Sequence, residues 1–130
     1  MTLEEAVRAY LLADVDIKSA VDDRIFAEVV PSEQGPWPVI VFSRLSSITE
    51  QTLDGPGLST IRIQFAVFSD KWLDAAGLAK LVEDKLTELI DVTQDDLTIQ
   101  ASFLADTRDL GYDINSGVHR LDVEFDFCLV

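Results

Sequence analysis

Cysteine, histidine and methionine are almost missing from this chain of 130 residues, each occurring once. A lone Cys128 excludes an intrachain disulfide, and near the end of a strand-like run it reads as an unpaired structural thiol. A lone His119 leaves no material for a Cys/His zinc site or a Cys–His nucleophile pair. Basic side chains are scarce, with 10 Lys and Arg against 24 Asp and Glu and a formal charge of −14. Direct grip on nucleic-acid phosphates or anionic membranes needs clustered Lys and Arg, so neither is expected. No apolar run approaches the roughly twenty residues of a membrane-spanning helix. The opening MTLEEAVRAYLLAD has no basic region ahead of an apolar stretch, which gives the expectation of synthesis in the cytoplasm without a secretory signal. Phosphate-binding glycine loops and a GxSxG nucleophile elbow are also absent.

What is present is apolar material, 48% of the residues, enough for a real core and far from the composition of a disordered acidic tail. The length suits a single domain spanning residues 1–130. Thr2 and Glu5 form a capping box, and Leu3, Ala6, Val7, Tyr10 and Leu11 share one helical face, predicting a helix from Thr2 to about Ala13. Asp14 and Asp16 can cap a short second helix over Ile17–Val21. Arg24–Val30 reads as a strand, and Pro31–Pro38 as a loop, because three prolines and Gly35 suit neither helix nor central strand.

Pro38–Leu53 is extended, apolar at Val39–Phe42 and then polar and β-branched. Asp54-Gly55-Pro56-Gly57 reads as a turn. Beyond it Leu58–Phe68 returns as a strand in which Ile61, Ile63, Phe65 and Val67 line one face. The two make a hairpin whose tip outruns the core. Ser69 or Asp70 can cap a helix from Lys71 to about Ile90 with Trp72, Ala75, Ala79, Val82, Leu86 and Leu89 inward. Gly77 inside it marks either close packing or a tolerated glycine. Leu97–Asp109 and the strictly alternating Leu121–Leu129 are the last two strands, joined by a turn at Tyr112–Gly117. The expected fold is α+β: a mainly antiparallel sheet of about five strands in the order α-(α)-β-β-β-α-β-β, with the N-terminal and long helices packed on it and a protruding hairpin between the second and third strands.

No constellation of nucleophile, base and oxyanion donors emerges, so no catalytic residue, cofactor site or metal site is assigned. His119 reads as a solvent-exposed turn residue. Asp95-Asp96 and Asp106 with Asp109 read as solvated surface in a chain this acidic rather than as acid/base or Mg²⁺ pairs. Trp37, held between Pro36 and Pro38, reads either as a partner contact on a stiffened loop or as a lid folded over the core. Arg108 and Arg120 beside the last turn are interface ion pairs or plain surface charge.

Taken together, TLEEAVRAYLLAD with DRIF, PWPVIVFSRLSS, TLDGPGLSTIRIQFAVFSD, AAGLAKLVEDKL and DTRDLGYDINSGVHRLDVEFDF resemble the small tail-completion, or tail-terminator, proteins of long-tailed phages and prophages. The likeness covers essentially the whole chain and rests on the order and spacing of these segments. It implies a structural virion protein, not an enzyme, found at the head-proximal end of the tail. There it would assemble as a homo-oligomeric ring, typically a hexamer, that ends growth of the tail tube and joins the tail to the head connector. The implied partners are the tail tube protein and the connector protein, with DNA passing through the ring but not specifically bound, and with no membrane contact. The hairpin arm offers Ile48, Gln51, Leu53, Asp54 and Leu58 as interface residues, with Trp37, Arg108 and Arg120 beside them. The chain is more acidic than such proteins usually are, and an acidic lumen would repel passing DNA. The alternative from another class is an acidic decoy that mimics DNA, which would need carboxylates regularly spaced on one face.

Overall fold

A computed structural model describes residues 2–28, 36–53, 55–94 and 96–129, and for residues 50–52, 55–57 and 94 the backbone alone. Among the described residues the chain forms three helices and six strands. Helix α1, Leu3–Leu12, starts where Thr2 Oγ1 accepts the Glu5 amide at 3.2 Å, and it buries Leu3, Ala6, Val7 and Leu11. Helix α2, Val15–Val21, is capped by Asp14, whose Oδ1 accepts the amides of Asp16 at 3.0 Å and Ile17 at 3.1 Å. Those caps satisfy helix-end donors that would otherwise face water alone.

Strand β1, Ile25–Ala27, lies parallel to β2, Val39–Thr52, with Ile25 opposite Ile40. This departs from the hairpin-linked order expected from sequence, because local patterning carries no information on which strand a short neighbour joins. Arg8 holds β1 in place from α1, donating to the carbonyls of Ile25 at 3.0 Å and Asp23 at 2.9 Å. Most of the loop expected at Pro31–Pro38 and the end of the expected strand at Val29–Val30 lie outside the described residues.

Strand β3, Gly55–Ser69, pairs antiparallel with β2 out to Thr52 opposite Gly55. The reversal is therefore tighter than the expected four-residue turn, since Gly55, Pro56 and Gly57 already belong to the strand; Asp54 lies outside the described residues. Helix α3, Trp72–Thr87, begins after Lys71, whose side chain makes no cap. Ser69 instead takes the Lys71 amide at 3.3 Å from just outside the helix. A Cβ built on Gly77 meets nothing within 4 Å, which decides for a tolerated glycine over close packing.

Strand β4, Val92–Gln94, was not expected; three residues are too short to show a period. It pairs antiparallel with the start of β5, Leu97–Asp113, and β5 pairs antiparallel with β6, Val118–Leu129. The sheet therefore runs β1-β2-β3-β6-β5-β4, six mixed strands rather than about five, all antiparallel except β1 with β2. All three helices lie on one side. Ile63, Phe65 and Val67 of β3 and Val123, Phe125 and Phe127 of β6 point into a single cluster with Ala75, Leu78, Val82 and Leu86 of α3 and with Leu3, Val7, Leu11, Ile17 and Val21 of the first two helices. Phe127 meets Phe65 edge-on at 6.4 Å and stacks on Phe125 at 6.1 Å. Trp72, expected inward, is 45% exposed and instead donates through Nε1 to Asp109 Oδ2 at 2.9 Å, pinning the start of α3 to β5.

Candidate assembly surfaces

Three surfaces stand out once the core is accounted for. The first is the arm. Among the described residues β3 runs beside β6 from Ser69 to Ser59, opposite Leu129, while β2 and β3 stay paired as far as Thr52 and Gly55. The outer part of the β2–β3 pair therefore projects past its neighbour, held together by its own ladder and by a Thr49 to Ser59 hydroxyl contact at 3.0 Å. Its root is fixed to α1, because Arg44 forks onto Glu4 at 2.6 and 3.0 Å. Burial raises the Glu4 carboxyl, but the Arg44 hydrogen bond, a hydrogen bond from its own backbone amide and the Arg44 charge together outweigh it and hold it below its ordinary value. Leu45, at a bulge between Arg44 and Ser46, is exposed, as are Ile48, Leu53 and Leu58. Three residues expected at an interface, Ile48, Leu53 and Leu58, thus share this arm. The side chain of Gln51 and all of Asp54 lie outside the described residues.

Trp37 is not with them. It is half-buried before β2, joined to Pro38 by a cis peptide bond, and sits at the opposite end of the 14-residue strand, roughly 45 Å from the tip at about 3.4 Å per residue.

The second surface is the helix-free face of the sheet, where the structure brings Arg108 and Arg120 together. Strand alternation sends Asp122, Glu124 and Asp126 of β6 to this side. Arg120 forks onto Asp122 at 2.9 and 3.3 Å, and Arg62 of β3 forks onto Asp126 at 2.8 and 3.0 Å. Arg108 of β5 bonds Asp106 at 2.6 Å and lies 3.6 Å from Glu124. Four carboxylates thus face three guanidinium groups in one ladder, and Asp122 and Glu124 are only 7% and 6% exposed. Asp106, read from sequence as solvated, is drawn below its ordinary pKa by the Arg108 hydrogen bond. His119 is half-buried rather than exposed, tilted against the Tyr112 ring at 4.8 Å.

The third surface went unseen in the sequence. β4 covers β5 only as far as Ile99, so among the described residues the outer edge of β5 from Ser102 to Asp113 has no strand beside it. Phe103, Leu104, Leu110 and Tyr112 are exposed along it and Ile114 at the turn beyond. Gly111, with φ of 85°, and Gly117, with φ of 74°, supply the left-handed backbone that a bulge and the final turn require. Among the described residues no group of His, Cys, Asp and Glu is placed to hold a metal ion, and no helix is long and apolar enough to cross a membrane.

A sheet with one face armoured by helices, an arm beyond it and an open edge is built for contact. The family model described as tail completion protein gp17 matches residues 5–129. The chain belongs to that family. It is a structural, non-catalytic component of a phage-type tail. Among solved structures, a chain of the virion of a native gene transfer agent particle matches with a TM-score of 0.73 and 18% identity, covering 98% of this chain and 93% of that one. At that identity the likeness speaks to the fold alone. No curated protein matches the sequence significantly.

Proposed function

We propose that this tail completion protein caps the head-proximal end of the tail tube as a homo-oligomeric ring, typically hexameric, that stops tube growth and presents the surface to which the head connector docks. The observation that carries this reading is the arm. A strand pair that outruns its own sheet, with Ile48, Leu53 and Leu58 exposed on it, has no task inside the monomer. Repeated head-to-tail, such a contact closes into a ring when the rotation per copy allows. Trp37 lies far from the arm and is assigned to a separate contact, with the tube or the connector. DNA passes through such a ring without being specifically bound, in keeping with the scarcity of Lys and Arg. The decoy alternative loses ground, because the carboxylates most regularly placed on one face, Asp106, Asp122, Glu124 and Asp126, are paired with arginines.

Replacing residues 48–60 by an Asn-Gly turn joins Ser47 to its strand partner Ile61 and removes the arm while sparing Ile61, Ile63 and the rest of the core. The shortened chain is expected to fold, with an unchanged far-UV circular dichroism spectrum, and to fail to join filled heads to tails in a mixing assay. Joining at the normal level by the shortened chain would sink the proposal.

A further inference from the structure

We propose that neighbouring copies join by strand addition, the outer edge of β2 in one copy pairing antiparallel with the open edge of β5 in the next. The inference rests on the ring reading and specifies its subunit contact. Among the described residues, β1 accompanies β2 only to Phe42, its last bond being the Glu28 amide to the Phe42 carbonyl at 2.9 Å. The backbone of β2 from Ser43 to Thr52 therefore has no outer partner among the described residues, nor has that of β5 from Ser102 to Asp113. The two stretches nearly match in length and lie on opposite edges of one sheet.

Strand direction agrees. β2 opposes β3, β3 opposes β6 and β6 opposes β5, so β5 runs antiparallel to β2. Copies related by rotation keep the same orientation, and their facing edges then meet antiparallel, the stronger of the two pairings. Pairing of β5 with β5 would instead need a twofold axis and would end at a dimer.

The two short strands set the offset. Following the register across the sheet, Ile40 lies level with Val67, Leu121 and Asp109. Flush copies would thus drive β1 of one into β5 of the other. Sliding one copy along the strands until β1 clears Asp113 brings Ser43 near Asp113 and Thr52 near Leu104, just short of β4. A constant offset closes into a ring when the strands tilt against its axis, as in a barrel.

Natural sheets guard exposed edges with charges, proline or short strands. Here β1 and β4 guard only the ends. In this offset Leu45–Thr49, which carry no charge, lie opposite Thr107–Gly111, whose two charges are already engaged within their own copy, Arg108 with Asp106 and Asp109 with the Trp72 indole, so at −14 per copy this is a stretch where copies can approach.

The test is a cysteine scan in full-length Cys128→Ser protein within assembled tails. Ser47→Cys is combined with a cysteine at each position from 105 to 111 in turn, followed by mild oxidation and denaturing electrophoresis. A ladder of covalent species beyond the dimer is expected at one position or two near neighbours, and none from either cysteine alone. Absence of any ladder, or dimers from the β5 cysteine alone, overturns the proposal. Electron microscopy of the same tails separates the two readings: rings without cross-links refute only this seam, whereas capped tails without rings refute the ring itself.

Discussion

Both faces of the central sheet bury side chains, and they do so by opposite means. Toward the helices, Phe65, Phe125 and Phe127 are at most 1% exposed and lie within the apolar core cluster. Toward the open side, Asp122 and Glu124 are nearly as hidden, under the arginines that bond them. One strand, β6, sends Phe125 and Phe127 to the first face and Asp122 and Glu124 to the second from alternate positions. Burial alone therefore does not say what a side chain contributes. On the covered face removing atoms leaves a void, whereas on the open face removing a partner leaves a charge without its counterpart.

The largest effect is expected on the covered side. Phe125→Ala empties a fully buried site in the middle of the aromatic cluster and should cost about 3–5 kcal/mol of stability. Urea unfolding followed by circular dichroism reads this directly; a loss below about 1 kcal/mol would mean that the cluster is not the core it appears from its contacts. The open face should respond less. Arg120→Ala strips Asp122 of a forked partner, yet Arg120 is itself 38% exposed and water enters readily. We expect a loss of about 1 kcal/mol, most of it recovered in the double variant with Asp122→Asn. If Arg120→Ala rivals Phe125→Ala, the ladder and not the aromatic cluster dominates the sheet.

This asymmetry also explains what the sequence disclosed. The alternation of Leu121–Leu129, the Thr2 cap and the polar, β-branched run after Arg44 are local signals, and they located β6, α1 and the arm with Ile48, Leu53 and Leu58 on it. β4 and the parallel partner of β1 are set by tertiary pairing, which leaves no local mark. β5 was cut short at Asp109 because bulges at Ile99/Ala101, Leu104/Asp106 and Asp109/Gly111 break its alternation, and Gly111 imitates a turn. Its open edge was hidden for the same reason. An unpaired edge is defined by the absence of a neighbour; Leu104 looks in sequence like an ordinary strand residue, and Tyr112 reads as the start of a turn. Trp72 misled by sitting at core spacing while its indole served Asp109.

The smallest expected effect concerns pH. Asp109 is held below its ordinary pKa chiefly by the Trp72 indole and then by the Gly111 amide, and Asp113 chiefly by the Asn115 amide. A carboxyl whose pKa is lower in the folded chain binds its proton more readily when unfolded. Its contribution is therefore complete above the unfolded value, near 3.9, and is lost as the pH falls through the folded value below that. Acidification from pH 5 toward 3 should thus loosen the β5–β6 end before the aromatic cluster, none of whose members titrates. In a Trp37→Phe background the emission of Trp72 should shift, and the amides of Gly111 and Asn115 should exchange faster, while those of Phe65 and Phe125 stay protected. Simultaneous loss of protection at all four would show that the hairpin and the core unfold as one unit, and the difference between the two faces would then be one of chemistry and not of local stability.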